Sequence, residues 1–146
     1  MKFSEMRARL SGLPEGYNGQ KGKWNEIKGA FQIKKCCLIR ALQYGPDGEV
    51  LVSPVTEKPY FDWQLAMFIE TEDGKEYNVR TNSQKLVAVF RTQITEDKKA
   101  DEVNQYGSEI FYCTPPEGRV RFCTAQQEYG KNKEKHDVAY LEDAED

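Results

Sequence analysis

The strongest constraint in this sequence is the alternation through residues 62–80. Trp63, Leu65, Met67 and Ile69 form one row, and Gln64, Ala66, Phe68 and Glu70 form the other. Successive side chains on a strand point to opposite faces, so a period of two over this length specifies a strand with one buried side. Asp73-Gly74 supplies a tight turn, and Glu76, Tyr77, Asn78, Val79 and Arg80 return from it. An Asp-Gly pair between alternating segments signals a β-hairpin, because the turn needs a positive φ and glycine adopts one without steric penalty. A slip of one residue would expose the Trp63 row, so the register is firm.

Other segments arrange themselves around this hairpin. Residues 30–44 read as a long strand, with Phe31, Ile33, Cys37, Ile39 and Ala41 on one parity and Lys34, Cys36, Leu38 and Arg40 on the other. Gly45-Pro46-Asp47-Gly48 reads as a turn. A short strand follows over residues 49–53, kept to an edge by Pro54 and Pro59, which cannot donate to a ladder. Residues 82–93 fit two structures. Asn82 or Ser83 can cap a helix with Leu86, Val87, Phe90 and Ile94 on one stripe, and the Val-Ala-Val-Phe run suits a buried strand; the stripe favours the helix. Residues 95–107 read as a loop, and the segments around Pro115-Pro116-Glu117-Gly118 as a last hairpin. Upstream, Phe3, Met6, Leu10 and Leu13 mark a short amphipathic helix that Gly12 and Pro14 stop.

The chain therefore divides into an N-terminal helix and mobile loop (1–29), a β-rich body (30–127) and a flexible acidic C-terminal tail (128–146). The expected fold is mainly β, with α+β as the alternative. It is a small antiparallel barrel or curved sheet with one or two short helices. A helix after three long strands is also the arrangement of the five-stranded OB barrel, so the architecture is OB-like.

Several function classes find no support. No apolar run reaches the roughly 18–20 residues of a membrane helix, and the N-terminus has no secretory apolar core, so a cytoplasmic location without membrane contact is expected. The four cysteines, Cys36, Cys37, Cys113 and Cys123, are then expected as thiols, and their spacing is not that of zinc ligands. His136 stands alone in a polar segment, where nothing holds it for triad chemistry. No phosphate-cradling glycine loop is present. Neither a catalytic activity nor a metal or other cofactor is expected.

Charge is unevenly placed. The net charge is −3, but the last ten residues hold five acids, Asp137, Glu142, Asp143, Glu145 and Asp146, and no base. Without them 19 acids face 21 bases, so the remainder is +2. Single-strand nucleic-acid binders combine cations for phosphate with aromatic faces for stacking. Lys34, Arg40, Arg80, Arg119 and Arg121 fall on strand positions opposite the expected core rows, together with Phe68, and the loop carrying Tyr17, Lys21, Lys23 and Trp24 interleaves aromatics with lysines. These ten residues are the candidate interface for single-stranded DNA or RNA. A solvated sheet also puts Lys and Arg outside, so the same residues suit an ordinary surface equally well.

In architecture, a β-barrel followed by an acidic end, the chain resembles bacterial and phage single-stranded-DNA-binding proteins. That resemblance implies a tail that docks partner proteins and competes with DNA for a basic groove, although this chain ends EDAED without the terminal aromatic of the bacterial proteins. The rival expectation is a small protein-binding adaptor or inhibitor with neither nucleic-acid nor catalytic activity. It would engage its partner through the aromatic segment from Tyr60 to Trp63 or through the acidic tail.

Overall fold

The structure, a computed structural model, describes residues 14, 16, 17, 19–105, 107–129 and 134–144. The helix expected from Phe3, Met6, Leu10 and Leu13 lies outside the described residues. In chain order the elements are β1 (Gln20–Gly22), a 3-10 turn (Trp24–Glu26), β2 (Phe31–Leu42), β3 (Phe61–Thr71), β4 (Glu76–Thr81), α1 (Gln84–Arg91), β5 (Glu102–Val103), β6 (Glu109–Cys113), β7 (Arg119–Tyr129) and β8 (Glu134–Asp143). All the strands join one open, curled sheet that forms a half-barrel, with α1 packed on one face. The mainly β, curved-sheet expectation holds, and the helix follows the third long strand.

The hairpin is as read. Leu65 pairs with Thr81 and Glu70 with Glu76, and Gly74 closes the turn at φ 82° with its N–H 2.9 Å from the Thr71 carbonyl. Leu65, Met67 and Ile69 are fully buried on the α1 side. Residues 82–93 resolve as a helix, with Leu86, Val87 and Phe90 buried against that row. Ser83 does not cap it by side chain; its hydroxyl donates to the Ala139 carbonyl at 2.7 Å and ties the helix start to β8.

Strand β2 departs from the expected parity. Its register against β3 shifts between Ile33 and Lys35, leaving Lys34 as an extra residue. Phe31 and Ile33 therefore share a face with Cys36 and Leu38, and Cys37 and Ile39 take the other. The bulge shows in the sequence only as the adjacent pair Lys34-Lys35, both exposed, and the strand beyond it, buried on both faces at residues 36–39, does not reveal which parity continues the Phe31 row.

The last hairpin is a correction. β6 and β7 do not pair with each other. Both run antiparallel to β2 on the same edge, from Arg40↔Glu109 through Cys36↔Cys113 to Gln32↔Arg119 and Phe31↔Val120. They form one interrupted strand, and residues 114–118 loop out between the halves because Pro115 and Pro116 have no N–H for a ladder. The true partner of β7 is β8, which pairs along its length from Val120↔Asp143 to Tyr129↔Glu134.

That pairing also corrects the flexible tail. Ala139 is buried and Leu141 packs against the core beneath α1, so Asp137, Glu142 and Asp143 ride on a strand instead of a free end. Their charge concealed the apolar run of Val138, Ala139, Tyr140 and Leu141. The loop expected over residues 14–24 likewise contains a strand, since β1 pairs in parallel with β4. The strand expected over residues 49–53 is reduced to two isolated bridges, Tyr44↔Val50 and Val52↔Pro59.

Two stability outcomes follow from this packing. Leu38→Ala should cost about 2–5 kcal/mol, the range for emptying a core leucine site. Deleting residues 134–146 should cost on the order of 3 kcal/mol, from the Leu141 and Ala139 burial alone. Urea denaturation followed by intrinsic fluorescence checks both, and a truncated chain with an unchanged midpoint would mean that β8 is an ornament.

Candidate functional site

The site is built where β1 meets β4. Lys21 is the register partner of Asn78, and Gly22 of Val79. The approach is close: a Cβ at Gly22 would stand 3.0 Å from the Tyr77 ring, and one at Gly19 would meet both the Glu76 backbone and the Phe68 ring at 3.0 Å. After β1 the chain turns through Lys23 into the 3-10 turn, whose start is held by the Lys23 N–H donating to Glu26 Oε2 at 3.4 Å. This places Lys21, Lys23, Trp24 and Asn25 on one wall of a pocket of about 430 Å³, with Asn78 and Arg80 on the other. Among the described residues, every charged side chain lining it is a cation. The hollow by the β3–β4 turn, about 260 Å³, carries Glu26, Glu72 and Asp73 beside Lys28.

Arg80 is half-buried. Desolvation lowers its pKa and the Cys37 thiol opposes that shift, but a guanidinium stays charged throughout the working pH range. Asn78 is buried, and its Nδ2 donates to the carbonyls of Tyr17 and, at 2.7 Å, Gly19. It thereby fastens the strand entry to the sheet. Trp24 packs toward the core through Phe122, with ring centroids 6.3 Å apart.

Of the ten candidate residues, Lys21, Lys23, Trp24 and Arg80 share this pocket, and the other six lie elsewhere. Tyr17 is 4% exposed, buried over Cys37, Ile39, Ala66 and Ile110; burial pushes its hydroxyl pKa up. Phe68 packs against the same cluster. Neither ring is a free stacking surface, because the chain entering β1 lies over that face. Lys34 pairs with Glu70 at 3.4 Å, and Arg119 with Glu72 at 3.4 Å. Arg121 stands opposite Glu142. Arg40 sits on the α1 side of the sheet because of the bulge. Its Nε donates to Glu109 at 2.6 Å, and its guanidinium lies 4.5 Å from the Phe61 ring, 5.1 Å from Phe111 and 5.4 Å from Trp63.

Two features escaped the sequence reading. Asn78 belongs to the pocket, and the only signal for it was its place opposite the Val79 row. Arg91 stacks on Trp63 at 4.4 Å, across the α1–β3 contact, which no local pattern reveals. A further exposed feature is the β2–β3 connection, where Val50, Leu51, Val52, Val55 and Tyr60 are all at the surface, Val55 at 88% exposure. Among the described residues no three His, Cys, Asp or Glu gather as metal ligands, and no helix is long and apolar enough to cross a membrane. No family model, curated protein or solved structure matches the chain.

The geometry separates scaffold from site. Trp63→Ala, which removes the ring between Arg40, Arg91 and Phe111, should lower stability by about 3 kcal/mol. Lys21→Ala with Lys23→Ala should change it by less than about 0.5 kcal/mol, since exposed positions contribute little. Matched denaturation curves test this; an effect of the lysine pair as large as that of Trp63 would make the pocket wall structural.

Proposed function

We propose that the protein binds single-stranded nucleic acid, anchored at the pocket between β1 and β4. The observation that carries this reading is a concave site with Lys21, Lys23 and Arg80 as its only charged residues among those described and Trp24 at its rim. Phosphate oxygens need such cations, and an indole offers a stacking face to any base. The site lies on the β3–β4 side of the sheet, and in OB barrels it is the face of the second and third strands that takes oligonucleotides. With Tyr17 and Phe68 covered, few bases can stack, so binding is weak and dominated by phosphate.

A labelled oligo-dT titrated by fluorescence anisotropy tests the reading. Neutralising three phosphates predicts a slope of log K against log salt near about −2, at roughly 0.7 per single-strand contact. Lys21→Glu with Lys23→Glu should weaken binding at least about tenfold at low salt, while Arg119→Glu, whose wild-type side chain is paired away from the pocket, should leave it nearly unchanged. No binding by wild-type protein at low salt would sink the proposal.

A second reading is favoured by the apolar β2–β3 connection. There a protein-binding module would present Val52, Val55 and Tyr60, with Trp63 withdrawn beneath Arg40 and Arg91. Val55→Asp should then abolish partner capture and leave oligonucleotide binding intact.

A further inference from the structure

The four thiols are not equivalent. Cys37 is fully buried beneath Tyr17, and Cys123 stands opposite Tyr140 on the β7–β8 ribbon. Cys36 and Cys113 face each other. They are register partners on the neighbouring antiparallel strands β2 and β6 and belong to the same face of the sheet. Cys36 Sγ lies 3.6 Å from the Cys113 carbonyl oxygen. Paired residues on antiparallel strands have Cα atoms about 4.5–5.5 Å apart, which falls within the roughly 4.4–6.8 Å that a disulfide spans. The two thiols also differ in access: Cys36 is 2% exposed, whereas Cys113 is only half-buried.

We propose that Cys36 and Cys113 are a redox-active dithiol that a peroxide converts to a cross-strand disulfide. Cys113 reacts first. Its thiolate attacks a peroxide oxygen, the S–O bond forms as the O–O bond breaks, and the leaving oxygen takes up the proton that the Cys113 thiol released and departs as water or an alcohol. Cys36 sulfur then attacks the resulting sulfenic sulfur, and the displaced hydroxide takes the Cys36 proton and leaves as water. Two thiols are oxidised and one peroxide is reduced. The division of roles agrees with the electrostatics: the contact with Cys36 holds the Cys113 thiol below its ordinary value, and the same contact together with burial raises that of Cys36. The thiolate is the nucleophile, so the more accessible and more acidic sulfur initiates. Joining β2 to β6 covalently fixes the centre of the sheet.

Peptide mapping of the full chain after hydrogen peroxide treatment, alkylation and tryptic digestion without reduction tests this. Cleavage after Lys35, Arg40, Lys99 and Arg119 leaves Cys36 and Cys37 in one peptide and Cys113 in another. The expected result is a link between these two peptides and loss of two of the four free thiols, with Cys123 still alkylatable. The link should persist in Cys37→Ser and vanish in Cys36→Ala, a replacement that keeps a small apolar group in the core. Three outcomes would overturn the proposal: no loss of thiols, over-oxidation of Cys113 without a link, or a link that survives in Cys36→Ala. The wild-type map decides the matter even where a variant folds poorly.

Discussion

At residues 33–35 the central strand carries one residue more than β3 opposite it, and at the same level on its other edge residues 114–118 loop out between β6 and β7. Two irregularities on either side of one strand bend the sheet there and increase its twist. The curl brings β7 and β8 round to where α1 can lie over them and over β3 together, so one helix covers residues from both ends of the chain. Without the extra residue, Phe31 and Ile33 would face away from Leu38, and the hydrophobic cluster that holds Phe31, Leu38, Leu65, Phe90 and Phe111 would be split between two faces.

Because β2 is flanked by β3 on one side and by β6 and β7 on the other, both its faces must be closed. α1 closes one. The entry to β1 closes the other, with Tyr17 as the plug and Asn78 as its fastening. The same closure decides the fate of the candidate interface. An aromatic that seals a sheet face is not free to stack on a base, and an arginine drawn under the helix, as Arg40 is, turns to Glu109 and the rings of Phe61 and Phe111. Lys21 and Lys23 stay exposed because they sit on the edge strand and its turn, where burial is not required, and Arg80 is half-buried beside them on β4.

The elements legible in the sequence were those whose pattern is set locally. The 62–80 hairpin combines a clean period of two with an Asp-Gly turn, and α1 shows a stripe of Leu86, Val87 and Phe90 that only a helix gathers. The features that eluded the reading depend on partners remote in sequence. The bulge in β2 is marked only by the adjacent Lys34-Lys35 pair, because the strand beyond it is apolar on both faces and fits either parity. Two strands around Pro-Pro-Glu-Gly look like a hairpin until the unsatisfied edge of β2 claims them both. The acidic C-terminal segment resembles a solvated tail because Asp137, Glu142 and Asp143 occupy exposed positions at either end of the stretch in which Ala139 and Leu141 pack on the core. The pocket was half legible: Lys21, Lys23 and Trp24 are neighbours in sequence, but their meeting with Asn78 and Arg80 depends on the parallel β1–β4 pairing, which a three-residue strand does not announce.

The half-barrel is left open on the side where the pocket lies. β1 occupies the outer edge of β4 and β8 pairs with β7, so among the described residues no ladder joins the two ends. Ring packing bridges them, with Trp24 6.3 Å from Phe122 and Phe122 4.8 Å from Phe31, together with α1, whose preceding Ser83 donates to the Ala139 carbonyl of β8. An aromatic pair contributes roughly 0.5–1.5 kcal/mol beyond its buried area, whereas each ladder bond lost from a buried edge costs about 1–3 kcal/mol if left unmade. The seam therefore rests on weaker contacts than a ladder would supply, and Trp24 belongs to both the seam and the pocket rim. Movement of the indole would act on this packing and on no hydrogen bond of the sheet, and would leave the β2–β3–β4 meander as it is.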